Sequence, residues 1–277
     1  MMRLALLALL GAGANALAPP KRTVSKRSRG TSAKPNVNEV EAPVEFFDPE
    51  IRPITRTAGC AALWLGLTAY VAIGAPGKDD LSQALDADAL ARLIADPFDP
   101  TVPPLFCVLF NFMGLWPAIY AALLLPGGRD QKPPLLPFLL GSVGLGMFAL
   151  TPYLALREER TEAIAPSSLA GKWFDGKANA ALLSVGAVFV AYKGITAAPL
   201  AESIAGFQEI FQEQLFVHVT TLDFCSLWLL SFGVIAEDMK RRPDGPDPSL
   251  APAFAAVPIF GALAYLAVRP PLPTAEE

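Results

Sequence analysis

One histidine, His218, stands in 277 residues, and the three cysteines, Cys60, Cys107 and Cys225, show no C-x-x-C spacing. These shortages exclude several chemistries. A haem held by two histidines of one chain, a 2-His-1-carboxylate iron site and the histidine clusters of membrane desaturases all need more imidazoles. A disulfide framework or thiolate metal site is likewise not indicated, and each cysteine lies in an apolar stretch where it reads as a small buried residue. No G-x-x-x-x-G-K-[ST], H-E-x-x-H, G-x-S-x-G or phosphate-cradling G-x-G-x-x-G occurs. Gly141 to Gly146 lies within a hydrophobic run, so it is not a phosphate loop. No motif supports assignment as an enzyme.

Charge is scarce as well, at 17% of residues, against 53% hydrophobic content and a mean hydropathy of +0.40. A soluble domain rarely has this balance, and the chain calls for a nonpolar solvent. Residues 1 to 35 carry seven Lys or Arg and no acid, and the remainder carries 15 basic against 26 acidic residues. An acidic body lacks the basic face that would neutralise phosphates, so nucleic acid is not an expected partner.

Residues 1 to 18 have Arg3, the apolar run Leu4 to Leu10 and the small-residue stretch Ala14-Asn15-Ala16, the pattern of a cleaved signal peptide. Residues 19 to 35 are basic and hydroxyl-rich, which is transit-peptide composition. The pair resembles the bipartite presequence of algae with secondary plastids, with Leu17 where Phe is commonest. The alternative is an ordinary secretory signal followed by a basic tail, and hence a secretory-pathway membrane. Residues 36 to 57, with Pro43, Pro49 and Pro53, read as a disordered linker, and 269 to 277 as a disordered tail.

Between them, residues 58 to 268 predict an all-α integral membrane bundle. Spans are expected at about 58 to 76, 103 to 126, 133 to 156, 178 to 198, 215 to 236 and 251 to 268, because crossing a hydrocarbon core takes about 20 apolar residues. Continuous rather than alternating apolar runs require helices, which satisfy their own backbone in lipid. The last span is the shortest and contains Pro252 and Pro258. Pro117 and Pro152 predict kinks, and Ser142-x-x-x-Gly146 a small-residue face for close helix contact. Residues 77 to 102 form an acidic loop. Leu200, Ile204, Phe207 and Phe211 against Glu202, Gln208, Glu209 and Glu213 predict an amphipathic helix over 199 to 214. With six spans, the excess of Lys and Arg in the first, third and fifth loops would place those loops together on the stromal side.

Ionisable groups inside a bilayer usually mark function or a buried pair. His218 and Asp223 share the fifth span but point about 140° apart on an ideal helix, so each needs a partner elsewhere. Asn111, Tyr120, Tyr153, Tyr192 and Lys193 are the candidates. Such a span could relay protons, line a substrate path, ligate a pigment metal through His218, or use both residues to fix packing. Glu237 to Pro243 reads as a membrane-boundary anchor whose basic triplet could meet lipid head groups.

The stretches Phe110-Asn111 to Trp116-Pro117, Leu136 to Gly141, Thr151-Pro152-Tyr153 to Arg157, Phe216-Val-His218 to Asp223-Phe224 and Asp238 to Arg242 resemble an uncharacterised family of multi-span membrane proteins of cyanobacteria, algal plastids and chloroplasts. The likeness covers roughly residues 98 to 268. It implies a plastid membrane and no particular activity; of the two destinations left open, thylakoid and envelope, the thylakoid is favoured. Three functions stand as expectations: support for assembly or organisation of a photosynthetic or other plastid membrane complex, transport or channelling of protons or a small solute, and a lipid- or isoprenoid-directed membrane enzyme or pigment-binding protein using His218.

Overall fold

A computed structural model describes residues 51 to 273 apart from 129, 130, 164 and 167, with the backbone alone at 51 to 55 and 80. The two segments expected to form a presequence, most of the stretch expected as a linker, and the last four residues lie outside the described residues. Every regular element described is helical, as the continuous apolar runs predict. The chain builds α1 (Ile51–Ile73), α2 (Asp80–Ala95), α3 (Pro104–Leu124), α4 (Leu135–Leu145), α5 (Met147–Leu156) and α6 (Leu169–Asp175). It continues with α7 (Lys177–Ala197), α8 (Leu200–Glu213), α9 (Leu215–Lys240), a 3-10 turn (Pro248–Leu250), α10 (Ala251–Ala255) and α11 (Phe260–Val268).

Four of these, α1, α3, α7 and α9, are long and apolar enough to cross a membrane. The chain is a multi-pass membrane protein, with apolar helices suited to bilayer contact. The other two expected spans are each broken into two shorter helices. In 133 to 156 the helix stops at Gly146, whose φ is +50°, a value that favours glycine. The two halves then fold back on each other. Gly141 faces Ala149 so closely that a Cβ would lie 3.2 Å from the Ala149 Cβ. The two mouths of the hairpin meet, with Gln131 Nε2 donating to the Glu158 carbonyl at 2.9 Å and Glu158 N–H donating to Gln131 Oε1 at 3.2 Å. An eleven-residue α4 is only about 16 Å long, roughly half the hydrocarbon thickness. Thus α4 and α5 form a hairpin that enters and leaves by one end of the bundle.

The stretch 251 to 268 behaves alike. It breaks between α10 and α11, where Ile259 has φ +64°, and Gly261 sits against the Phe254 carbonyl, leaving no room for a Cβ. Trp228 Nε1 donates to the Ala255 carbonyl at 2.6 Å, midway along α9. Arg269, at the far end of α11, returns to Asp238 near the close of α9. Pro258 supplies the local reason for the break, since it cannot donate to a helix ladder, whereas Pro252 sits in the first turn of α10, where a proline is tolerated. Pro117 and Pro152, by contrast, lie within continuous helices.

These hairpins expose an order that the sequence conceals. A crossing helix, a short helix over the end, a second crossing helix and a half-depth hairpin occur as α1, α2, α3, α4/α5 and again as α7, α8, α9, α10/α11. The pairings repeat too: α1 packs on α5 and α7 on α11, α3 on α4 and α9 on α10, while α2 reaches α9 and α8 reaches α3. The packing of α7 on α3 does not repeat. α7 lies close along α3, with a Cβ on Gly194 only 2.1 Å from Val108 Cγ2, yet α1 touches α9 far more sparsely.

The hairpins also re-sort the loops. The first loop lies beside the start of α9, with Gly77 against the Glu213 to Leu215 backbone. The third and fifth lie at the opposite end, joined by the Arg157 and Glu237 pair. The six-span expectation that all three share one side is therefore corrected. Among described residues the first end holds Lys78, Arg92 and Lys193, while the other holds Arg56, Arg157, Lys177, Lys240 and the arginines beyond. Positive charge bias assigns that second, basic end to the non-translocated side.

The core centres on α3, where Leu115, Trp116, Ile119, Tyr120 and Leu123 are fully buried. On α1 only Cys60 is buried among the described side chains. α7 presents Leu182, Val185, Phe189, Tyr192 and Ile195 outward, an apolar stripe that needs no cover in lipid. Within a bilayer, close packing and hydrogen bonds hold helices together, because lipid tails are as apolar as leucine. Three boundaries differ from those expected. α1 begins at Ile51, inside the stretch read as linker, and the acidic loop contains α2. Arg269 and Leu272, expected in a disordered tail, are buried. The amphipathic helix forms as α8, with Phe207, Ile210 and Phe211 in a small core against α2, α3 and α9.

Candidate functional site

Asp223 is buried on α9 and faces the tip of the first hairpin. Its Oδ1 accepts a 2.7 Å hydrogen bond from the Met147 N–H, the first residue of α5. A helix that starts inside lipid leaves N–H groups without water and carries partial positive charge at its N-terminus. Asp223 answers both from a neighbouring helix. Gly146 makes the approach feasible, since a Cβ there would lie 1.9 Å from Asp223 Oδ2.

His218 is one and a half turns earlier and serves a different contact. Its Nδ1 lies 2.9 Å from the Phe211 carbonyl and its Nε2 lies 2.9 Å from the Tyr70 hydroxyl. A carbonyl only accepts, so Nδ1 carries the proton and Nε2 accepts from Tyr70. The ring also stacks on Phe211, centroids 4.2 Å apart. Both nitrogens are engaged, so a pigment metal would have to displace Tyr70 to use this imidazole. Among the described residues, no group of three or more His, Cys, Asp or Glu is placed to hold a metal ion.

Asn111 and Lys193 join neither residue. Asn111 Nδ2 donates to the Pro97 and Cys107 carbonyls, each at 2.8 Å. Lys193 is exposed, with Nζ 5.4 Å above the Phe98 ring. Both therefore hold the connector between α2 and α3. Tyr120 donates to the Leu227 carbonyl at 2.6 Å, and Tyr153 meets Phe138. The four polar candidates are thus dispersed over three places, and His218 pairs with Tyr70, a tyrosine outside the candidates expected from the sequence.

Two further clusters went unread. At the acidic end, Asp86 of α2 accepts a 2.9 Å bond from Phe216 N–H, capping α9, whose own N-cap Gln214 makes no side-chain bond. Burial pushes the Asp86 carboxyl above its ordinary range, against the lowering by the Phe216 and Leu215 N–H groups. At the basic end, Asp238 is wholly buried among Arg241, Arg242 and Arg269, at 3.0, 3.0 and 2.7 Å. Tyr265 also donates to it at 2.8 Å. Asp175 joins Arg242 at 2.6 Å and accepts from Leu272 N–H at 2.9 Å. Arg241 reaches the Leu123 carbonyl at 2.7 Å. The triplet expected to meet head groups is hence mostly internal: Arg241 and Arg242 are 2% exposed, and Lys240 alone stays outside, 3.2 Å from Glu159. The signal was the i, i+3 and i, i+4 spacing of Asp238, Arg241 and Arg242, together with a lone Arg269 after an apolar helix.

No protein-family model, curated protein or solved structure matches this chain.

Proposed function

We propose that this chain is a non-enzymatic multi-pass protein of a plastid membrane, thylakoid rather than envelope, that supports assembly or organisation of a membrane complex. The observation that carries the reading is how the intramembrane polar groups are used. Asp223, His218 and Asn111 each direct their polar atoms to contacts that hold the fold. What remains distinctive is the end face made by α2 and α8, where Asp88, Glu202, Glu209 and Glu213 are exposed. That face suits a partner with a basic surface, since charge complementarity steers and orients association. The plastid location rests on the presequence composition and the family resemblance.

The test is to tag the protein at Glu277 in its own cells, purify it in mild detergent, and identify co-purifying chains and pigment. Fixed-ratio co-purification with a photosynthetic or other plastid complex, lost when Glu202, Glu209 and Glu213 are changed to Gln, is the expected result. A solitary monomer would sink the reading.

Transport is the second reading, favoured by the repeated unit with two half-depth hairpins, an organisation used by carriers whose broken helices meet near the midplane. Flux through reconstituted protein that falls in Asp223→Asn while the fold is intact would promote it.

A further inference from the structure

The sparse pairing of α1 with α9 leaves a cleft. It is floored by Leu154 of α5, walled by Cys60 of α1 and by Leu229 and Gly233 of α9, and has a volume of about 410 Å³. Where α7 closes against α3 with Gly194 on Val108, α1 and α9 converge only at the acidic end, through Tyr70 and His218. Toward the basic end they part. Leu229 is 60% exposed there, and a Cβ on Gly233 would meet nothing within 4 Å.

The mouth of this cleft is cationic. Arg157 is paired with Glu237 and Lys240 with Glu159, which leaves Arg56 as the mouth charge with no carboxylate partner among the described residues. The Arg56 guanidinium donates through Nη2 to the Arg157 carbonyl, whereas its buried Nε and Nη1, like the buried Arg157 Nε, have no partner among the described residues. Buried donors without acceptors cost about 1 to 3 kcal/mol each, so the site calls for an acceptor. The mouth also lies at the end that charge bias assigns to the non-translocated side, where anionic lipids attract basic residues.

We propose that the cleft between α1 and α9 binds a membrane lipid with an anionic phosphate head group, the phosphate against Arg56 and Arg157 and the acyl chain along Leu154, Leu229 and Gly233. An apolar wall open to the side and a cationic mouth at the boundary match the two halves of such a molecule. A free anion would use only the mouth.

The test uses the full chain purified in detergent, with phosphatidylglycerol, phosphatidylcholine and inorganic phosphate as probes, read by native mass spectrometry and thermal shift. Phosphatidylglycerol should bind about tenfold more tightly than phosphatidylcholine, the size of one or two charge-assisted hydrogen bonds, and inorganic phosphate should not compete. Arg56→Gln should abolish the preference. Gly233→Leu, which fills the cleft without touching a charge or a packed neighbour, should weaken phosphatidylglycerol binding while leaving the lipid-free melting midpoint in place. Equal binding of the two lipids, full competition by inorganic phosphate, or an unchanged preference in both variants would overturn the proposal.

Discussion

Asp223 of α9 caps the N-terminus of α5 through the Met147 N–H, 2.7 Å away, at the point where an expected membrane span turns back on itself. The hairpin exists because three things coincide: a glycine at positive φ, a carboxylate opposite it, and a second helix of only ten residues. If capping is the role, the requirement is for an acceptor and not for a titrating group. Asparagine caps about as well as aspartate, and removing a cap costs about 1 to 2 kcal/mol. Asp223→Asn is therefore expected to keep most of the thermal stability in detergent, and Asp223→Ala to lose it. Equal losses in both would show that the charge itself is needed.

Gly146 and Gly144 are two residues apart and should behave oppositely. A Cβ on Gly146 would enter the Asp223 carboxylate and hold an unfavourable φ, whereas one on Gly144 meets nothing within 4 Å. Gly146→Ala should destabilise by about 1 to 3 kcal/mol. Gly144→Ala, inside α4, should be neutral or stabilise by up to about 1 kcal/mol, the helix preference of alanine over glycine. Melting midpoints of the two variants, measured side by side, check this.

Much of the fold can be read from the sequence, and what cannot has a common cause. Span positions and α8 follow from hydropathy and period, which depend on neighbours along one helix. The hairpins do not, because 133 to 156 has the length and apolarity of a full span and only the opposing Asp223 makes Gly146 a turn. Likewise His218 and Asp223 stand out as polar residues in lipid, but Tyr70 and Met147 become their partners through packing across sequence separations that no local pattern encodes. The basic cluster after α9 reads as a boundary anchor until α6 and the end of α11 close over it.

Tyr70 and His218 form the one described bond between α1 and α9, at 2.9 Å. Tyr70→Phe keeps the ring and removes the donor, an expected loss of about 1 kcal/mol. His218→Ala should cost more, since the Phe211 stack and carbonyl bond go as well. In a double-mutant cycle the two changes should couple by about 0.5 to 1.5 kcal/mol. A coupling near zero would mean that α1 is held by α5 alone.

Asp238 neutralises a site containing three buried arginines, so its loss leaves charge that Asp175 cannot balance. Breaking a buried pair by removing one partner costs about 3 to 5 kcal/mol. Asp238→Asn is expected to lower the melting midpoint sharply and to free the end of α11, seen as faster hydrogen exchange near Arg269. Asp88, whose pair with Arg92 is exposed at both ends, is the control, and Asp88→Asn should leave the midpoint unchanged.

Asp86 offers a test by pH. Burial raises its carboxyl above the ordinary value of 3.8, with one oxygen, Oδ1, enclosed without a hydrogen-bond donor among the described residues while the other meets the Phe216 N–H. A group whose folded value is raised binds its proton more tightly in the folded state. Its stabilising contribution is complete below the unfolded pKa and is lost as pH rises through the folded one. Asp86→Asn cannot titrate and can still accept from Phe216. Measured as melting midpoint against pH, the wild type should therefore fall relative to Asp86→Asn as pH rises from below 3.8 through the raised value. A difference that is flat with pH, or that grows in the wild type's favour, would mean that the Phe216 and Leu215 N–H groups outweigh burial and that the ionised carboxylate is the preferred cap for α9.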